Sequence, residues 1–396
     1  DFDLYSVAPA VSSLTLYSDW TKELSDDLNA AVEEVLGKNP LLKGVLEQDK
    51  DGSYKVLLGS HSTFVNIIEG PTGLKVPATF AELLPFIEKN IEPLLAGHIL
   101  GNTLTQIEEK SRLFGVNVVL LPDGYAAVNV EVSHIIADGF TYYMVCEQID
   151  AAINKRVSEE IEWSHPGKHI AFPDHYTAAE EECVLKSWLP AYTQKMQTAA
   201  PRRSQFTFVD TMAVNQVKEE YAALCGTGKF ISTNDVVTSG LAEVMNTELI
   251  LMFANMRDRA EGAALRCGGN YERNIPFPRV LAMNSPQFVR ECLMQDFCFW
   301  KRPGEVPEKA YKNADLSIIT NWCATQKLIQ PAGTKLLMHL PLSSFVKGLQ
   351  FDIAIICIVD TKGTIVVNHN LREDAETQSR IAASSLYRRV IKQVEQ

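Results

Sequence analysis

No apolar run in this 396-residue chain reaches the roughly 18 residues that a bilayer-spanning helix requires, so no membrane span is expected. The eight cysteines are scattered, without a CxxC pair or a metal-finger spacing, and no Asn-x-Ser/Thr sequon occurs. Both absences favour a reducing compartment, the cytoplasm or an organelle stroma. The chain starts at Asp1 without Met or a signal-peptide pattern and reads as a trimmed or mature form. Positive charge is in deficit: 37 Lys and Arg stand against 49 Asp and Glu, a net charge of −12, which argues against nucleic acid or an anionic membrane as the main partner. There is no GxSxG nucleophile elbow, so Ser-His-Asp hydrolase chemistry is unsupported. The stretch Gly226-Thr227-Gly228-Lys229 is not a phosphate-binding P-loop, because Ala223 stands at the first glycine and Phe230 at the Ser/Thr.

What is present is ordinary for a soluble globular protein: 46% hydrophobic and 22% charged residues. The length suits two domains or one large two-lobed unit. Helical spacing covers 24–36, with Ser25 as N-cap, Gly37 closing it and Pro40 preventing continuation. A hairpin is expected over 45–58, turning at Asp51-Gly52, and a helix over 80–95 interrupted by Pro85 and Pro93. Residues 112–121 and 125–132 read as paired strands turning at Pro122-Asp123-Gly124, followed by a helix over 141–156. A linker is expected from about 162 to 204, giving lobes 1–165 and 205–396 around a crossover at 166–204. The second half reads as a strand at 204–213, helices at 215–224 and 234–252, a turn at 273–278, strands at 317–321, 335–340, 351–359 and 364–369, and a last helix at 376–393. His165, His169 and His175 have a zinc-like spacing, but Pro166 and Pro173 spoil a helix there and no metal site is expected.

Chemistry concentrates at Ser133-His134-Ile135-Ile136-Ala137-Asp138-Gly139, at the end of the alternating stretch 125–132. An imidazole at a strand end can take a proton from a hydroxyl or amine near neutral pH. A carboxylate four residues on can bend the loop and hold the ring.

His134-x-x-x-Asp138-Gly139 resembles the HxxxDG motif of the acyl-CoA-dependent acyltransferase superfamily, which includes chloramphenicol acetyltransferase, the BAHD enzymes, wax-ester synthases and condensation domains. Three further segments follow the family order. Residues 35–46 resemble its first helix exit, with Asn39 in the usual His place; Ser232-Thr233-Asn234-Asp235 resembles the "STND" helix start; Asn255-Met256-Arg257-Asp258-Arg259 with Gly269-Asn270-Tyr271 resembles its "N-x-R-x-R … GN-Y" segment. Two further features depart from the pattern. Ser133 replaces a frequent second His, and the BAHD DFGWG motif is missing from its expected place, 327–333.

The resemblance implies a two-lobed, chloramphenicol acetyltransferase-like α/β fold with mixed sheets and an inter-lobe tunnel. It implies transfer of an acyl group from acyl-CoA, a co-substrate with no tightly bound cofactor beside it, to a small-molecule hydroxyl or, less favoured, an amine. His134 is the implied general base. Asp138 is implied to pair with Arg257 or Arg259 and so fix the loop, and Gly139 to allow a close approach. Ser232, Thr233 and Asn234 read either as helix caps or as substrate contacts. Lys229 is a candidate for CoA phosphates, and Thr320, Asn321 and Trp322 are unranked candidates for an oxyanion donor. The two-lobed members imply a protein acting alone. A carrier-protein-dependent condensation enzyme and a non-catalytic binder of the same fold stay open.

Overall fold

The computed structural model describes residues 10–50, 54–59, 63–97, 100–101, 103–163, 205–225, 229–259, 263–294, 315–342, 352–371 and 374–393. The expected linker at 166–204, its histidines and the Asp51-Gly52 turn lie outside them.

The first half builds β1 (Val11–Ser18), α1 (Lys22–Lys38), β2 (Val45–Gln48), β3 (Tyr54–Leu57), β4 (Val65–Glu69), α2 (Phe80–Leu95), α3 (Thr103–Glu109), β5 (Phe114–Leu121), β6 (Tyr125–Val132) and α4 (Gly139–Ile153). The second builds β7 (Gln205–Val209), α5 (Thr211–Cys225), α6 (Thr233–Val244), β8 (Leu249–Asn255), β9 (Glu272–Pro278), α7 (Arg279–Ala282), α8 (Pro286–Met294), β10 (Leu316–Asn321), β11 (Lys335–Pro341), β12 (Asp352–Ile358), β13 (Ile365–His369), α9 (Ala375–Ala383), α10 (Leu386–Val390) and β14 (Ile391–Gln393).

Two mixed sheets form the two lobes. The first runs β11-β1-β6-β5-β4 and the second β14-β7-β13-β12-β10-β8-β9. Strand β4 lies parallel to β5, and β10 lies parallel to both β8 and β12; the other pairs are antiparallel. One face of the first sheet packs on α1 and α4 through Val116, Val118, Val128 and Val130 against Leu28, Val32, Tyr142 and Ile149. In the second lobe Val236, Val237 and Leu241 of α6 cover Ile319, Ala354 and Ile356. Strand β11 breaks the order of the chain. It comes from the second half but pairs with β1 in the first sheet, Leu14 opposite Leu340 and Leu16 opposite Met338. His339 N also donates to Val359 O at 2.8 Å, so this one strand is hydrogen-bonded to both lobes.

Several local expectations are corrected. The cap of α1 is Thr21, whose side chain accepts from Leu24 N, while Ser25 is buried and accepts from Trp20 Nε1 at 2.9 Å. The helix expected over 234–252 stops at Val244, and Leu249-Ile250-Leu251-Met252 is strand β8. A short apolar run does not distinguish a buried strand from a buried helix by periodicity. Residues 273–278, expected as a turn, pair with β8 as β9 despite two prolines, which an edge strand tolerates. The last helix is split at Ser384 into α9 and α10 and ends in β14. Strands β1 and β4 and helices α3, α7 and α8 were not legible; β1 reads VSSLTLYS and is buried on both faces, so it does not alternate. Both α2 prolines stay within the helix, which kinks at Asn90. Among the described residues no helix is long and apolar enough to cross a membrane.

Met338 tests the role of β11, because it is fully buried among Leu14, Leu16, Cys357 and Val359. Met338→Ala should cost about 2–5 kcal/mol. Urea unfolding followed by circular dichroism should show a lower midpoint, and an unchanged midpoint would mean that this contact does not hold the lobes.

Candidate active site

Strand β6 ends at Val132 and the chain makes one turn over His134-Ile135-Ile136 before α4. Ser133 anchors the turn. Its N donates to Leu113 O at 2.7 Å, its carbonyl accepts from Ile136 N at 3.2 Å, and its hydroxyl donates to Gln106 Oε1 at 2.5 Å. The residue in the place of the family's second His is thus fully buried in a hydrogen bond to α3.

Asp138 closes the turn as the N-cap of α4, its Oδ1 accepting from Thr141 N at 2.8 Å. The same carboxylate meets Arg257 in a two-point ion pair: Nη1 to Oδ2 at 2.8 Å and Nη2 to Oδ1 at 3.2 Å. Tyr271 N adds a third donor to Oδ2 at 2.9 Å. The carboxylate that could have gripped the imidazole is directed to the other lobe instead.

Arg257 is buried and its donors are all engaged. Nε donates to Cys267 O, Nη1 also to Asn255 Oδ1, and Nη2 also to Thr141 Oγ1 and Gly269 O. Its guanidinium lies over the Phe140 ring, at 4.8 Å, and over the Tyr271 ring, at 4.7 Å. A planar, permanently charged group with a fixed fork suits this place; a lysine would not. Arg259, the other candidate, is exposed and donates to Asn255 O at 3.2 Å, away from Asp138.

The 269–271 loop grips the histidine turn directly. Asn270 Nδ2 donates to His134 O at 2.7 Å and to Ile135 O at 3.2 Å. Gly269, at φ +138, accepts from Asp138 N and from Thr141 Oγ1. That backbone conformation suits glycine. His134 itself is partly exposed. Burial of its ring pushes the imidazole below its usual range, opposed by a hydrogen bond to its own backbone, by the Asp138 charge and by Asn270. The ring is therefore neutral at neutral pH, the form that accepts a proton.

The remaining sequence candidates separate. A Cβ on Gly139 would come within 3.2 Å of the Trp322 indole, so a larger residue at 139 would push the indole back by a few tenths of an ångström. Thr320 shares a sheet face with Trp322, since side chains alternate along β10 and Ile319 packs into the opposite, helix-covered face. Asn321 turns to that helix-covered side and donates to Asn234 Oδ1 at 3.0 Å. Ser232 and Asp235 form a reciprocal capping box on α6, Asp235 pairs with Arg290 at 2.7 Å, and Thr233 accepts from Lys218 Nζ. The STND segment is therefore held in capping and packing. Lys229 is exposed. Residues 327–333, the expected place of DFGWG, dock on α4 through Gln330 N to Asp150 Oδ1 and Ala332 N to Asn154 Oδ1. Among the described residues no cluster of His, Cys, Asp and Glu could hold a metal ion.

Sequence reasoning gave no role to Thr141, Tyr143, His339, Gln326 or Glu131. Only Glu131 carried a signal, an acidic residue within an apolar strand. It is fully buried and accepts from Asn129 Nδ2 and Leu100 N; burial pushes its carboxyl up to about 7.

No family model matches the sequence, and no curated protein matches it. Solved structures share the fold. F. graminearum TRI101, in complex with coenzyme A and deoxynivalenol, is similar at a TM-score of 0.67 and 11% identity, over 98% of this chain and 97% of that one. The first condensation domain of the CDA synthetase is similar at 0.57 and 11% identity, over 96% and 90%. SgcC5 from Streptomyces globisporus is similar at 0.55 and 12% identity, over 96% and 91%. The two-lobed, mixed-sheet fold expected from the motifs is the one these structures have.

Asp138→Asn leaves the buried Arg257 charge uncompensated and should cost about 3–5 kcal/mol in urea unfolding, whereas exposed Arg259→Ala should stay within about 0.5 kcal/mol. Equal effects of the two would refute the assignment of the ion pair to Arg257. Glu131 makes a second prediction. Its carboxyl titrates at 4.5 when unfolded and near 7 when folded, so folding favours the protonated form. Stability should fall by about 3 kcal/mol as pH rises from 4.5 through 7, and Glu131→Gln should abolish that fall. Parallel pH curves for the two proteins would contradict it.

Proposed function

We propose that this protein transfers an acyl group from acyl-CoA to the hydroxyl of a small molecule, with His134 as general base. The observation that carries the reading is a neutral imidazole on a first-lobe turn that the second lobe grips at two points, through Arg257 on Asp138 and Asn270 on the His134 carbonyl. The fold supports it, since one similar structure was solved with both coenzyme A and a small molecule bound.

In this reading the acceptor hydroxyl attacks the thioester carbonyl carbon while His134 takes its proton. The tetrahedral oxyanion collapses, the carbon–sulfur bond breaks, and the proton passes from His134 to the departing CoA thiolate. No acyl-enzyme forms. Thr320 and Trp322, which share the face beside the histidine loop, are the better candidates to donate to the oxyanion; Asn321 is occupied on the other face. The tunnel would lie between the sheets at His134, and Lys229 would serve the CoA phosphates at its mouth. Acyl-CoA enters and leaves as a co-substrate. A second reading, in which a carrier-protein thioester replaces acyl-CoA, is favoured by the likeness to a condensation domain.

A thiol-release assay with a panel of acyl-CoAs and alcohols should show turnover that His134→Ala lowers about 10²–10⁴-fold. Because the ring is held below its usual range, the acid limb of kcat/KM should lie under about pH 6.5. Turnover untouched by His134→Ala would sink the reading, and turnover with an acylated carrier protein but no acyl-CoA would favour the second.

A further inference from the structure

A second histidine, His339, is buried on β11, and the proposed reaction gives it no part. Its Nδ1 lies 2.8 Å from Thr15 Oγ1 and its Nε2 3.0 Å from Tyr143 Oη. Burial alone pushes its ring down to about 3, so it is neutral at any ordinary pH. Its tautomer follows from the neighbouring hydrogen bonds. Gln326 Oε1 accepts from Ile358 N at 2.6 Å and Gln326 Nε2 donates to Ile358 O at 3.0 Å, which fixes which end of the amide is nitrogen. That nitrogen also donates to Tyr143 Oη, at 3.3 Å. The phenol accepts from Gln326, and its own buried proton finds an acceptor only if it donates to His339 Nε2, the tautomer that gives every hydrogen of the group a partner. Nδ1 of His339 then carries the hydrogen and donates to Thr15 Oγ1. In this arrangement the hydrogen bonds run from Gln326 to Tyr143, from Tyr143 to His339 and from His339 to Thr15.

This chain ends against the proposed oxyanion donor. Tyr143 lies one turn after Gly139 on α4, so the two residues share a helix face. Trp322 fills that face. Its indole reaches within 3.3 Å of a Cβ position at Gly139, and its ring stands edge-on to Tyr143 at 5.8 Å and 84°. The loop carrying Trp322 is tied to the same chain, because Gln326 N donates to Trp322 O at 3.1 Å.

We propose that Tyr143, locked by His339 and Gln326, is a positioning residue that sets the Trp322 indole beside the histidine loop. The claim rests on the acyl-transfer reading for its catalytic consequence, but not for its structural one. A Tyr143→Phe change removes only the hydroxyl that joins three elements. A His339→Leu change removes the acceptor, and His339→Gln puts a carbonyl oxygen back near the Nε2 position.

The test reads the indole N–H signal of Trp322 in 15N-tryptophan-labelled protein, assigned by its loss in Trp322→Phe. The signal should move in Tyr143→Phe and His339→Leu and return toward its original position in His339→Gln, while the Trp20 and Trp163 signals stay in place. Thiol release should fall about 10- to 100-fold in kcat in the first two variants, with KM for both substrates changed less than about twofold. An unmoved Trp322 signal in Tyr143→Phe overturns the proposal, and so does a shift of all indole signals together, which would make the pair a general determinant of folding. Should the wild-type protein turn over no acyl-CoA at all, the functional reading fails and the Trp322 signal still decides this one.

Discussion

One buried ion pair holds the site. Asp138 and Arg257 stand 119 residues apart in the chain, on different lobes, and meet at two points with almost no solvent exposure. The net contribution of such a pair to stability is small, because two charges leave water to make it. Its value here is geometric. The carboxylate caps α4, accepts from the Tyr271 backbone and holds Arg257, so the start of the helix, the 269–271 loop and the histidine turn have one mutual arrangement. A looser interface would leave the positions of His134 spread over an ångström or more, a distance at which the proton abstraction proposed for it would become inefficient.

Legibility followed the range of the interactions. The β5–β6 pair and the HxxxDG turn could be read because alternation, turn residues and motif lie within a few positions of each other. Arg257 was legible as one of two candidates through its segment, but choosing it over Arg259 required knowing which side chain points inward. The STND residues stood open between capping and substrate contact; the capping box and Arg290 engage Ser232 and Asp235, and Thr233 and Asn234 accept from Lys218 and Asn321. What failed did so for a common reason. Strand β1 is buried on both faces, so no alternation betrays it, and β8 follows α6 too closely for an apolar run to show its period. His339, Tyr143 and Gln326 lie on three elements joined only in space, and no spacing in the chain could bring them together.

The positions at which this chain differs from the motifs it resembles have local structural substitutes. Ser133 replaces a histidine and finds Gln106. Asn39, where a histidine is usual, donates to Val35 O and Gln148 Oε1 and accepts from Trp163 Nε1, so every hydrogen-bonding group of its side chain is used. In both places a polar side chain is buried with its partners, which is what a fully packed interior demands. The shared fold at 11% identity is consistent with that picture. At these two positions packing and hydrogen bonding are satisfied by residues of a different kind.

Strand β11 has a consequence for how the chain reaches this state in a cell. The first sheet has β1 beside its edge, and the strand that covers it is synthesised only at residues 335–341. On a ribosome making about 5–20 residues per second, the stretch after β6 takes on the order of 10–40 s to emerge. For that interval the nascent amino-terminal half presents unpaired backbone donors and acceptors along Val11–Ser18. Newborn chains of this protein are thereby exposed to mispairing with one another, and a holdase chaperone shielding that edge would raise the yield of native molecules.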